Sequence, residues 1–180
     1  MFTDPIQNVV EFGFLPGQLI ADLGSGAGHY TFAISKAVGE NGRVYSVDYH
    51  EEALNRIASE AEQDGRKNIR VILGDIEKPE GTSLKDSCVD GVVFSNILFQ
   101  LNKKESALIE AFRILKPGGS LGIVEWSDLS FLTNVKTETK IKLVSEKESR
   151  QICEKAGFVF VKTFEAGDHH YGLIYKKPNN

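Results

Sequence analysis

Apolar positions along the chain follow two alternating spacings. Short β-branched runs at 19–23, 43–47, 69–73, 89–94 and 120–125 read as strands. Between them the apolar residues recur at helical intervals. Tyr30, Ala33, Ile34, Ala37 and Val38 share one face, as do Leu54, Ile57, Ala58 and Ala61, and then Leu108, Ala111, Phe112 and Leu115. Gly39 and Gly42 stop the first helix and Gly65 the second. Asn102 with Glu105 predicts a reciprocal cap for the third. Pro117-Gly118-Gly119 predicts a turn before the fifth strand. Ser145 with Glu148 opens a further helix carrying Ile152, Cys153 and Ala156, closed by Gly157. Residues 1–18 form an N-terminal segment, and 76–88 a loop. The stretch 126–144, which mixes Leu129, Phe131, Leu132 and Val135 with polar residues, is the expected substrate lid. Runs at 158–164 and 171–175, joined by a short connection, predict a C-terminal antiparallel hairpin.

Five strand–helix alternations call for parallel pairing with right-handed crossovers. The expected fold is therefore an α/β protein: a three-layer α/β/α Rossmann-like sandwich whose seven-stranded, mostly parallel sheet ends in the hairpin. With 180 residues, 41% hydrophobic and 26% charged, the chain is read as one domain over 1–180 with a sizeable core. A formal net charge of −4 gives no broad surface for nucleic acid or anionic membrane. Cys88 and Cys153 are too few and too distant for a disulfide framework or a zinc site, so both read as buried small hydrophobes and no metal is expected. No Lys or Arg precedes Lys36, which argues against a basic secretory leader. Apolar runs such as Val92-Val93-Phe94 are too short to span a bilayer. The expectation is a cytoplasmic protein with a small-molecule partner and no nucleic-acid or membrane partner; a homo-oligomer stays open.

The candidate chemistry begins where the first strand ends, at Asp22-Leu23-Gly24-Ser25-Gly26-Ala27-Gly28-His29-Tyr30. Open α/β sheets bind ligands at the carboxyl ends of their strands. Glycines at 24, 26 and 28 permit a sharp turn and close approach of a ligand to the main chain, and the helix that follows offers free N–H groups. A dinucleotide fingerprint would place its third glycine at position 29, where the chain has His. Asp48 ends the second strand, 20 residues beyond Gly28, where a carboxylate can accept two hydrogen bonds from a ribose diol. Together these features predict an adenosine-type ligand.

These residues resemble a class I S-adenosylmethionine-dependent methyltransferase, over roughly residues 15–175. Asp22 to Gly28 is similar to the family's first motif and Asp48 to its ribose-binding acid. Gly74-Asp75-Ile76 is similar to the adenine-side motif, Phe94-Ser95-Asn96-Ile97-Leu98 holds the fourth-strand position, and Leu115-Lys116-Pro117-Gly118-Gly119 resembles the turn before the fifth strand. The chain looks most like the small-molecule group that includes ubiquinone/menaquinone-biosynthesis methyltransferases. The resemblance implies S-adenosyl-L-methionine as cofactor. It implies that Asp22, Gly24, Ser25, Gly26 and Gly28 hold the methionine moiety and that Asp48 takes the ribose hydroxyls. Tyr49 would flank the adenine, Asp75 meet its amino group, Ile76 pack on its ring, and Ser95 supply a backbone contact near the sulfonium. The chain lacks the Asn/Asp-Pro-Pro-Tyr/Phe motif of aminomethylating enzymes after the fourth strand, and the several cysteines of arsenite methyltransferases.

In-line methyl transfer needs alignment and exclusion of water more than a catalytic dyad. By position the catalytic candidates are His29 beside the glycine loop, and Glu125 and Asp128 after the fifth strand, with Trp126 between them. Asn96 and Phe99 should line the mouth. His169 and His170 lie within reach in the final connection, and His50 reads as structural. The short N-terminus and lid imply a shallow or open acceptor pocket, suited to a large acceptor or to a small one enclosed by a partner or a mobile lid. Two other readings stand: a non-catalytic S-adenosylmethionine-binding sensor or partner subunit, and an NAD-dependent oxidoreductase.

Overall fold

A computed structural model describes residues 3–128 and 142–179. Its elements run α1 (Pro5–Phe12), β1 (Leu19–Leu23), α2 (His29–Val38), β2 (Arg43–Asp48), α3 (Glu51–Gln63), β3 (Ile69–Leu73), β4 (Val89–Ser95), α4 (Lys104–Ile114), β5 (Leu115–Trp126), α5 (Glu146–Lys155), β6 (Val159–Glu165) and β7 (His170–Lys176). A single 3-10 turn, Leu98–Gln100, follows β4. The seven strands form one sheet in the order β3-β2-β1-β4-β5-β7-β6. All neighbouring pairs up to β4–β5 are parallel, while β7 pairs antiparallel with both β5 and β6. The strand order reverses between β1 and β4, which opens a crevice at their carboxyl ends.

Each central strand is buried on both faces, as helices on both sides of a parallel sheet require. One layer packs Val9, Phe12, Tyr30, Ile34 and Val38 of α1 and α2 against Val93, Val124 and Ile174. The other packs Leu108, Ala111 and Cys153 of α4 and α5 against Phe94, Ile123 and Tyr175. Ile57 and Ala61 of α3 cover Ile69, the first residue of β3.

One local reading is extended and three are corrected. The N-terminal segment contains a helix: the Asp4 carboxylate accepts from the N–H groups of Ile6 (2.9 Å) and Gln7 (3.3 Å), and Pro5 supplies a pre-set φ. Asn102 does not cap α4. The helix starts at Lys104, and the preceding N–H of Lys103 donates to the carboxylate of Glu77. The fifth strand begins at Leu115, directly after the helix; the Pro-Gly-Gly turn becomes a bulge, with Val89 opposite Leu115 and Gly91 opposite Ser120. Ser145 does cap α5, accepting from Glu148 N–H at 3.2 Å. Cys153 is buried, whereas Cys88 is only half-buried. Within the expected lid, residues 129–141 lie outside the described residues.

Candidate active site

The β1–α2 loop is fastened by its own backbone. The N–H groups of Gly24 and Ser25 both donate to Val47 O, at 2.8 and 3.1 Å, which pins the loop to the end of β2. Gly28 has φ +84 and begins α2; a Cβ there would stand 2.8 Å from Ile57 Cγ1. Gly26 has φ +51, and a Cβ on it would meet only Gly24 O, at 4.0 Å, so its main chain faces a cavity that any side chain would partly fill.

That cavity, about 1040 Å³, lies over the carboxyl ends of β1, β2 and β4. Asp22, Gly24, Ser25, Gly26, Asp48, Tyr49, Ser95 and His29 line it. A narrow slot continues beyond Asp48 between Tyr49, Asp75, Ile76, Ile97 and Leu101. Gly28 shapes the turn without lining either space.

Asp48 is almost fully buried. Its Oδ2 accepts from Gly26 N–H at 2.9 Å and its Oδ1 from His50 N–H at 2.9 Å, so the acid braces the glycine loop and the start of α3 together. Asp22 is buried beneath the loop. The Thr31 hydroxyl donates to it at 2.6 Å, yet burial, helped by the Asp48 carboxylate, pushes its carboxyl up to about 6. Asp75 behaves oppositely: partial burial would raise its carboxyl, but Glu77 N–H at 3.0 Å and the Lys78 ammonium at 3.2 Å hold it below the usual carboxylate range. It is therefore an ionised acceptor at the slot's edge.

The opposite flank is assembled from distant segments. Asn96, with φ +53, follows β4 and donates its N–H to Val124 O at 2.8 Å. Tyr30 opens toward the cavity from α2; Asn8 Nδ2 donates to its hydroxyl at 2.8 Å and to Ala166 O at 3.1 Å. Thr3 and Pro5 complete this wall. The sequence reading missed them, although the Asp4-Pro5 helix start was a usable signal. Arg56 and Gln100 also line the cavity, and no sequence feature singled them out.

Two of the three catalytic candidates stand outside the cavity. Glu125 is fully buried, with its Oε1 accepting from Trp126 N–H at 2.9 Å and its Oε2 from Phe99 N–H at 3.3 Å. Burial outweighs those donors and pushes its carboxyl up to about 7. Its position makes it a tether between the turn after β4 and the end of β5. Asp128 lies 2.9 Å from His169 Nδ1 at the rim, and Trp126 stacks on His170 with ring centroids 3.9 Å apart. His29 alone of the three faces the cavity. Among the described residues no grouping of His, Cys, Asp and Glu has the arrangement of a metal site.

The residues fit a nucleoside that carries an amino-acid tail. Ser25 Oγ is buried in the cavity wall with no hydrogen-bond partner, Gly26 leaves room beside it, and Asp48 and Asp75 offer two carboxylates, one lining both cavity and slot and the other lining the slot. The methyltransferase-domain family profile matches residues 16–172. The ubiquinone/menaquinone biosynthesis C-methyltransferase UbiE of Hydrogenovibrio crunogenus is 32% identical over 122 residues, which are 66% of this chain and 46% of that protein. The chain thus spans about half the length of the curated relatives it matches. An S-adenosylmethionine-dependent methyltransferase from Aquifex aeolicus superposes with a TM-score of 0.83 at 29% identity, covering 98% of this chain and 90% of the other. The cyclase SpnF superposes with a TM-score of 0.82 at 13% identity, over 98% of this chain and 81% of its own, a likeness of fold alone.

The chain belongs to the methyltransferase-domain family, as a class I S-adenosylmethionine-dependent methyltransferase related to UbiE. S-adenosyl-L-methionine is its cofactor.

Proposed function

We propose that the chain methylates a small or medium organic acceptor, with an electron-rich ring carbon, as in a quinol, the first class to test. The names of its relatives support carbon as the receiving atom. The observation that carries the cofactor half of the reading is Asp48, buried at the end of β2 and bonded to the loop that faces the cavity. When bound, the cofactor supplies a methyl group on a sulfonium sulfur, which passes in line to the nucleophile while the bonding pair stays on sulfur.

The chain's residues do the rest. Asp48 accepts from the ribose hydroxyls, and Asp75 accepts from the adenine amino group. Tyr49 and Ile76 flank the ring. Gly24, Gly26 and Gly28 shape the cradle for the methionine moiety, and Ser25 and Asp22 meet its polar groups. Ser95 lies where the sulfonium end falls. His29, at the start of α2, is placed to receive the acceptor's proton and hand it to water. The lid over 126–144, the single-domain organisation and a cytoplasmic setting belong to the same reading; no helix among the described residues is long and apolar enough to cross a membrane.

The test is labelled methyl transfer from S-adenosylmethionine to quinols, phenols, amines and carboxylates, with mass spectrometry locating the label. Methylation at a quinol ring carbon is the expected result. Calorimetric binding of NAD without binding of S-adenosylhomocysteine would overturn the reading.

A further inference from the structure

Asp48 carries one contact more than a ribose-binding carboxylate leaves room for. A carboxylate has two oxygens with about four lone-pair positions between them. On Oδ1, one position takes His50 N–H at 2.9 Å and the other faces His50 Nδ1 at 3.1 Å. On Oδ2, one position takes Gly26 N–H at 2.9 Å. The remaining position is on Oδ2 alone. A vicinal diol that binds both oxygens of a carboxylate needs one position on each.

The two main-chain donors are fixed by the turn and the loop. The imidazole is not. The His50 side chain is 61% exposed, makes no cap for α3, and rests on Tyr49 with ring centroids 3.8 Å apart. We infer that His50 is a displaceable occupant of the ribose subsite, its ring holding Asp48 Oδ1 in the free protein and swinging away when a nucleoside diol binds. The inference rests on the cavity being a nucleoside-cofactor site. His50 then acts as a positioning residue, setting affinity by competition: the diol must displace the ring before it gains its second hydrogen bond.

A probe that has the diol and the adenine but no amino-acid tail reads the ribose subsite with little contribution from Asp22 and His29, which line the cavity on the loop side. 5′-Methylthioadenosine is such a probe.

The experiment is calorimetry of the full chain with 5′-methylthioadenosine at pH 8, for the wild type, His50→Ala and His50→Gln. Removing a competitor should tighten binding: His50→Ala is expected to bind about threefold more tightly than the wild type. His50→Gln keeps an amide donor that can reach Asp48, so it should bind between the other two. The His50 Cε1–H resonance should move on saturation with the probe. Equal or weaker binding by His50→Ala, with an unchanged melting temperature, would overturn the inference. S-adenosylhomocysteine serves as the control: if it binds while His50→Ala gains nothing, only the competition fails. If neither compound binds, the nucleoside reading of the cavity fails with it.

Discussion

The two flanks of the cavity are built differently. The cofactor flank uses three short stretches, 22–28, 48–50 and 74–77, each at the carboxyl end of one strand, and its polar groups are fixed mainly by backbone N–H donors. The flank proposed for the acceptor brings together Thr3, Tyr30 and Asn96, and it is tied to residues outside the cavity by side-chain bridges across long separations. Asn8 joins α1 to α2 and the β6–β7 turn, and Glu125 joins the turn after β4 to β5. A nucleoside can thus be met by a rigid, locally encoded surface. The surface that meets the acceptor depends on the packing of the whole domain and is freer to differ between relatives.

The largest break in this contrast should come from Asp48→Ala. It removes the ribose acceptor and strands the N–H groups of Gly26 and His50, so S-adenosylhomocysteine binding should weaken by about 3 kcal/mol, over a hundredfold, with helical circular dichroism unchanged. An unaltered dissociation constant in calorimetry would place the ribose elsewhere.

Asp22→Asn should separate binding from stability. A carboxyl raised from 3.8 to about 6 binds its proton more readily in the folded than in the unfolded state, so its ionisation lowers stability as pH rises through about 6. The amide avoids that cost and still accepts from Thr31. The variant should gain about 1–2 kcal/mol at pH 8 by denaturant unfolding, while binding S-adenosylhomocysteine about tenfold more weakly. A loss of stability at pH 8 would show that the buried charge is better compensated than its surroundings indicate.

Glu125→Gln should give the smallest effect and only one half of that pattern. Its carboxyl, raised from 4.5 to about 7, likewise costs stability as pH rises through about 7. The amide keeps one acceptor oxygen for two backbone donors, so the net gain at pH 8 should be about 1 kcal/mol or less. Affinity for S-adenosylhomocysteine should stay within a factor of about two, since the side chain lines neither the cavity nor the slot. A large loss of affinity would mean that the tether governs the cofactor flank too.

The same contrast explains what was legible beforehand. The glycine loop and Asp48 could be read because each stands at a strand end, and strand ends are marked by hydrophobic spacing; Asp75 was implied only by the resemblance to the methyltransferase family. The start of α4 could not, because its N–H donor is met by Glu77 from 26 residues away, which made the nearby Asn102 and Glu105 a false signal. The start of β5 was hidden because Pro117-Gly118-Gly119 fits either a free turn or a bulge, and pairing with β4 decides between them. Glu125 was a catalytic candidate by its position at the carboxyl end of the fifth strand; burial, with its carboxylate bonded to the N–H groups of Phe99 and Trp126, makes it a brace.

The sequence by itself determined the alternation of strands and helices and the parallel sheet with its antiparallel end, and it marked the glycine loop and Asp48 as the candidate site, because spacing and local turn chemistry act over a few residues. The tertiary structure decided which carboxylates are buried, that Asp48 grips the glycine loop while His50 occupies its other face, and that Thr3, Tyr30 and Asn96 share a wall. Those outcomes depend on desolvation and on hydrogen bonds between segments far apart in the chain, and neither exists until the layers have packed.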